Sequence, residues 1–207
     1  MQEDSFRGFV ALPVQTGIKA FLQSFRAEAI KSFPDYRFVQ TENLHITLQF
    51  LGNGVRRSLV PEIRDVIQTS AARTPGFSIS LGEASAFPEK GLPRVLYIGI
   101  GHGKTEIIKL ARDLRAGLAR LGFHDNKPFR THITLARRKE RAGSGYSANE
   151  DPWAQSFSDF KKGYLHRFGN NPELHWQASE VFLMESQLTP KGPVYSVLAS
   201  FPFPGQE

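Results

Sequence analysis

Apolar and polar positions along this 207-residue chain fall into blocks of period two and blocks of helical period. Residues 5 to 14, SFRGFVALPV, form an apolar run stopped by Pro13 and predict a strand. Residues 16 to 33 place Ile18, Phe21, Leu22, Phe25, Ala29 and Phe33 on one helical face, with Thr16 as the N-cap. Residues 43 to 51, NLHITLQFL, alternate apolar and polar and end at Gly52-Asn53-Gly54, the pattern of a half-buried strand and a turn. A second helix is predicted over 58–73, with Ser58 as cap and Leu59, Ile63, Val66 and Ile67 buried. Its Pro61 is tolerated because N–H groups of the first turn have no intrahelical partner to lose. Strands over 76–83 and 94–101 follow, then a helix over 105–121 with Ile107, Leu110, Leu114, Leu118 and Leu121 on one face. THITLARR, 131 to 138, is a strand. Residues 139–172 are rich in Gly, Ser, Asn, Pro and charge and predict a long loop or insertion, with a short helix around WAQSFSDF. Two strands, HWQASEVFLMES and PVYSVLASFPF, close the chain.

Strands and helices mix without strict alternation, which fits an α+β class better than a doubly wound sheet. The order also nearly repeats. A strand, a long amphipathic helix and a strand containing His-Ile-Thr-Leu occur over about 5 to 51 and again over about 94 to 138. The expected architecture is bilobal: two pseudo-symmetric lobes of antiparallel sheet with outer helices and a central cleft. Residues 1–207 would then be one two-lobed catalytic domain.

The two HITL strands carry the chemistry. Side chains alternate faces along a strand, so His45 and Thr47 share one face while Ile46 and Leu48 share the other. His132 and Thr134 likewise oppose Ile133 and Leu135. Each polar face offers an imidazole and a hydroxyl about 7 Å apart. If a pseudo-two-fold relates the lobes, the cleft holds two His and two Thr. Imidazole titrates near neutrality, so one His can act as general base while the other, protonated, acts as general acid. Threonine hydroxyls can donate to phosphoryl oxygens between them. The set therefore suits in-line displacement at phosphorus without a metal. A duplication fossil serving only packing is the bland alternative.

Charge sharpens this picture. Lys and Arg exceed Asp and Glu by 26 to 20, a net +6, which suits an anionic partner such as nucleic acid or a nucleotide. The chain has no cysteine, which excludes disulfides, thiolate nucleophiles and Cys-ligated zinc. Neither HITL strand has a carboxylate or third His at ligand spacing, so no metal site and no cofactor are expected. His102, His124, His166 and His175 read as structural or surface residues. The start of the chain lacks a signal peptide's basic end and apolar run, and no apolar run reaches membrane-span length. A cytoplasmic monomer with no membrane contact is expected. VLYIGIGHGKT, 95 to 105, imitates a phosphate-binding loop, but the required first glycine is replaced by Ile98. It reads as a glycine-rich turn into a helix.

The paired H-x-T-L strands resemble the two-histidine phosphoesterase superfamily. FRGFVALPV, NLHITLQFLG, FRTHITLAR and VFLMESQLTPKGPVYSVLASFPF are similar to its RNA 2',3'-cyclic phosphodiesterase (2'-5' RNA ligase) branch. The resemblance spans nearly the whole chain, weakest from about 140 to 172. It implies metal-independent hydrolysis of a 2',3'-cyclic phosphate on RNA ends or nucleotides, leaving a 2'-phosphomonoester. It also implies that His45 protonates the leaving 3'-oxygen, that His132 activates water, and that Thr47 and Thr134 bind phosphate. The family has an Arg just after the second motif, matching Arg137. Strand parity puts Arg137 on the Ile133 face and Arg138 on the His132 face, so Arg137 needs a bulge or strand end to turn inward. Arg130 shares the His132 face and is a further phosphate candidate. Arg137, Arg138, Lys139 and Arg141 form a basic cluster that either guides an RNA backbone or is a solvated loop. Two alternatives stay open: a 2'-5' RNA ligase using the same cleft, and an RNA-binding module that needs neither His.

Overall fold

The fold is a computed structural model that describes residues 4–88, 92–125, 127–139, 152–168, 174–190 and 192–205. In chain order the elements are β1 (Ser5–Pro13), α1 (Thr16–Ser32), β2 (Tyr36–Phe38), β3 (His45–Arg56), α2 (Val60–Ala72), β4 (Phe77–Phe87) and β5 (Val95–Ile100). They continue with α3 (Lys104–Ala119), β6 (His132–Arg138), α4 (Pro152–Phe168), β7 (His175–Ala178), β8 (Glu180–Thr189) and β9 (Gly192–Pro202). Single turns of 3-10 helix, Thr41–Asn43 and Arg57–Leu59, precede β3 and α2.

The strands form one antiparallel sheet of order β7-β4-β5-β6-β3-β1-β8-β9, with β2 pairing to β6. The α+β class and the paired halves are as expected, and the halves join edge to edge through β6 and β3. Only Ser179 separates β7, at one end of this order, from β8, near the other. So short a link forces the sheet to curl until its ends approach. The stacked rings of Phe77 on β4 and Phe203 beyond β9, 6.0 Å apart, mark that closure.

Amphipathic helices back this sheet. α2 and α3 pack together and onto β3, β8 and β9. A Cβ on Gly117 would lie 2.5 Å from Val66 Cγ1, so glycine sets how closely these two helices approach. α1 packs with α4 and β2, and Phe25 and Phe33 meet Phe160 at 4.9 and 5.4 Å. Because α3, from the second unit, backs β3, from the first, the halves interlock.

Several sequence expectations are corrected. Gly52-Asn53-Gly54 does not end the strand. β3 runs on to Arg56, paired with β1 as far as Ser5, and the positive φ of Gly52 and Gly54 bends it in passing. Thr16 is the first residue of α1 rather than its cap; Gln15 precedes it in extended geometry without a side-chain cap. Ser58 lies inside a 3-10 turn. HWQASEVFLMES is two strands broken at Ser179. In the span read as a loop, α4 is a helix of 17 residues, held by burial of Phe160 and Tyr164 against α1. Within that span, residues 140–151 and 169–172 lie outside the described residues. In the phosphate-loop imitation, Gly103 caps α3 at φ 79°, where a Cβ would sit 2.5 Å from the Ser78 carbonyl oxygen. Close packing accounts for that glycine.

Candidate active site

β3 and β6 pair antiparallel with Ile46 opposite Ile133. Antiparallel register then sets His45 across from Thr134 and Thr47 across from His132. Both isoleucines are fully buried. The opposite face of the strands therefore carries both imidazoles and both hydroxyls, and all four line one cavity of about 370 Å³.

Each strand has a bulge at the same place. Val10 pairs with Gln49 and Ala11 with Thr47, which leaves Leu48 as an extra residue. Leu96 pairs with Ala136 and Tyr97 with Thr134, which leaves Leu135 extra in the same way. The bulge resets strand parity. Leu48 and Gln49 are buried consecutively, as are Leu135 and Ala136, and the next residue of each strand returns to the cavity. That residue is Phe50 in β3 and Arg137 in β6. Arg137 thus turns inward although simple alternation opposes it.

The two imidazoles are oriented alike. His45 Nδ1–H donates to the Asn43 carbonyl at 2.7 Å, and His132 Nδ1–H donates to the Arg130 carbonyl at 2.7 Å. A carbonyl at Nδ1 fixes that proton and leaves Nε2 as the atom that exchanges protons. In the neutral ring, His45 Nε2 accepts from the Thr47 hydroxyl at 3.0 Å. Aromatic rings hold both imidazoles: Phe9 and Tyr195 lie 4.8 and 5.4 Å from His45, and Phe87 and Tyr97 lie 5.3 and 5.4 Å from His132. The turn before His45 is anchored by Lys19 Nζ donating to the Glu42 carbonyl and by Asn43 Nδ2 donating to the Pro193 carbonyl.

The cavity wall carries Arg7 and Arg137 and, among the described residues, no carboxylate. Burial lowers the His45 pKa to about 4, with His132, Arg137 and Lys19 adding repulsion against the Asn43 carbonyl's opposing pull. The His132 pKa is lowered as well, by burial and then by Arg137, against the pull of the Arg130 carbonyl. Burial raises the Tyr195 phenol, so it stays a donor. The site therefore holds two neutral imidazoles among fixed cations, an arrangement that favours an arriving anion.

Of the residues singled out from the sequence, His45, His132, Thr47, Thr134 and Arg137 converge on this cavity. Arg130 does not line it. Its guanidinium lies over the Phe87 ring at 5.4 Å and opens onto an adjoining groove. His102, His124, His166 and His175 are exposed. Lys139 Nζ is engaged with the Pro34 carbonyl, and Arg141 lies outside the described residues. Among the described residues no three His, Asp or Glu side chains gather where they could hold a metal ion. No helix among them is long and apolar enough to cross a membrane. Arg7, Phe9, Phe50 and Tyr195 were missed. A lone Arg between apolar residues in β1 and a Tyr inside an aliphatic closing strand were the available signals.

A curled antiparallel sheet with two symmetry-related H-x-T strands meeting at its centre defines the two-histidine class of phosphoesterase fold. The model of the 2'-5' RNA ligase superfamily matches residues 14–189, and the chain belongs to that superfamily. It is 30% identical over 195 residues to an RNA 2',3'-cyclic phosphodiesterase of Archaeoglobus fulgidus, a match covering 94% of this chain and 99% of that one. The crystal structure of TT0787 of Thermus thermophilus superposes with TM-score 0.73 at 28% identity, covering 97% of this chain and 100% of that one. The structure of E. coli LigT complexed with 3'-AMP gives TM-score 0.69 at 25% identity, covering 97% and 99%.

Proposed function

We propose that this chain is an RNA 2',3'-cyclic phosphodiesterase that opens the cyclic phosphate to a 2'-phosphomonoester without a metal. The observation that carries this reading is the pair of imidazoles, each with Nδ1–H tied to a backbone carbonyl, lining a cavity that bears Arg7 and Arg137. The named activity of the Archaeoglobus fulgidus relative supports the substrate class. The nucleotide in the LigT complex supports a nucleotide-sized occupant.

The cyclic diester enters as a monoanion between the strands. Thr47, Thr134 and Arg137 donate to its non-bridging oxygens, and Arg7 adds positive potential. The anion opposes the burial that keeps His45 neutral, so His45 takes up a proton as substrate binds. Water attacks phosphorus opposite the 3'-oxygen and gives its proton to His132 Nε2. The P–O3' bond breaks, and His45 Nε2–H delivers its proton to that oxygen. Afterwards His132 is protonated and His45 neutral; exchange with solvent restores the starting state.

The test is hydrolysis of nucleoside 2',3'-cyclic phosphates in EDTA by wild type, His45→Ala and His132→Ala, with the product isomer identified. Turnover to the 2'-phosphate that both substitutions abolish is the expected result. Activity that survives either substitution, or that EDTA removes, would overturn the mechanism.

A further inference from the structure

β3 touches β6 at one pair only, Ile46 with Ile133, and further along β6 the short strand β2 takes its place. β2 is firmly set. Tyr36 and Phe38 are buried, the Tyr36 hydroxyl donates to the Pro93 carbonyl at 2.7 Å, and the Val39 N–H donates to the Leu135 carbonyl at 2.8 Å. Side chains alternate along a strand, so Arg37 lies on the other face, the one that Val39 brings to the catalytic cavity.

In the antiparallel register Arg37 pairs directly with Arg137. On the other flank of β6, Val95 pairs with Arg137 and lines the cavity too. Directly opposed residues of an antiparallel pair point to the same face, with Cβ atoms about 5 Å apart. Two arginines therefore stand side by side, Arg137 in the cavity wall and Arg37 beside it. Both are exposed, and neither has a hydrogen bond or an ion pair among the described residues. Like charges so placed are destabilising. An anion held between the two guanidinium groups removes that cost.

Substrate and product of the proposed reaction differ in charge. The cyclic diester is a monoanion with two terminal oxygens. The phosphomonoester has three, and it is a dianion above its second ionisation at about pH 6. The fork of one guanidinium can serve two oxygens. The third oxygen comes from the water that His132 activates, on the β6 side, and Arg37 is the unused donor there. We propose that Arg37 and Arg137 form a clamp selective for the dianionic product, and that Arg37 sets how long the 2'-phosphate is retained. This rests on the functional reading above. Arg137 serves substrate and product alike, whereas Arg37 engages once the ring has opened.

The experiment is equilibrium binding of a nucleoside 2'-phosphate and of its methyl ester at about pH 8, where the first is a dianion and the second a monoanion. Wild type should hold the 2'-phosphate about 10-fold or more tighter, the worth of one hydrogen bond to a charged group. Arg37→Gln should lose at least about 10-fold in affinity for the 2'-phosphate and less than about 3-fold for the ester. Arg37→Lys should keep part of the preference, since it has the charge without the fork. Arg137→Gln should weaken both compounds. A folding defect would also weaken both, so it cannot imitate the result for Arg37→Gln. On a cyclic nucleotide, wild-type progress curves should bend as product accumulates, and those of Arg37→Gln should stay straight for longer. Equal affinity for the two compounds, binding of neither, or a preference that Arg37→Gln leaves intact would overturn the proposal. Arg37 would then only guard the edge of β2 against pairing with other chains. If wild type hydrolyses no cyclic phosphate, the functional reading fails. A dianion preference that depends on Arg37 still sustains the clamp, as a site for terminal phosphomonoesters.

Discussion

β3 and β6 begin with the same four residues and then diverge. In both, the imidazole is oriented by the carbonyl two residues earlier, the leucine is bulged, and the second residue past it points into the cavity. The divergence lies in that residue and in the surroundings. β3 offers the half-exposed ring of Phe50 where β6 offers the guanidinium of Arg137. His45 has Lys19, Arg137 and His132 all opposing its protonation, whereas His132 feels chiefly burial and Arg137. In the mechanism proposed above, a two-fold frame supplies equivalent proton-transfer groups on opposite sides of a phosphorus. Departures from symmetry then give the cavity a cationic side at Arg137 and an aromatic side at Phe50.

The largest test of the shared part is removal of each imidazole. His45→Asn and His132→Asn should each lower kcat on a cyclic nucleotide by about 10³-fold, within the range of positioned acid–base groups. The double variant should be little worse than either single one, because the two act in one transition state. Independent, multiplying losses would show that the strands work separately.

The divergent part is tested by exchanging its residues. Arg137→Phe should cost about 10²-fold in kcat/KM, the loss of one charged donor to the phosphoryl group. Phe50→Arg should cost less than Arg137→Phe, since it adds a cation where none reaches phosphate. Equal losses would mean that the two positions are functionally equivalent after all.

Much of this comparison was legible in the sequence, and the reasons differ by residue. The tetrapeptide repeat and period-two alternation sufficed for His45, Thr47, His132 and Thr134, because side-chain alternation is local. Arg137 was found by resemblance and against parity, because a bulge is a property of two strands and the partner is remote in sequence. Arg130 lies outside the cavity for a related reason: it precedes β6, where strand alternation does not apply. Tyr195 and Arg7 were missed because their signals were weak and strand neighbours are set by remote pairing: β1 pairs with β3, and β9 follows through β8. Gly52-Asn53-Gly54 misled because β1 continues as a partner past the glycines, so a bend replaces the turn.

The surroundings of the two imidazoles also differ in their link to stability. His45 has a folded pKa near 4 against 6.5 unfolded, so the unfolded chain binds the extra proton between these values. Stability is therefore complete above about pH 6.5 and falls as the pH drops toward 4, by at most about 3 kcal/mol from this group. Urea unfolding across pH 4 to 7 should show a shallower decline for His45→Asn than for wild type. The decline should change less for His132→Asn. Parallel curves for all three proteins would remove the electrostatic difference between the halves.

The smallest difference concerns the hydroxyls. Thr47 donates to His45 Nε2 at 3.0 Å. That bond occupies the lone pair a proton would take, so it favours the neutral ring. Thr47→Val and Thr134→Val should each lower kcat/KM about 10-fold through loss of one hydrogen bond to phosphate. Only Thr47→Val should also move the pH profile. With the lone pair freed, His45 protonates more readily, and the profile shifts upward by less than about one pH unit, as one neutral hydrogen bond allows. If Thr134→Val shifts it equally, the proton on His45 is governed by phosphate binding from both strands, and the asymmetry ends at Arg137 and Phe50.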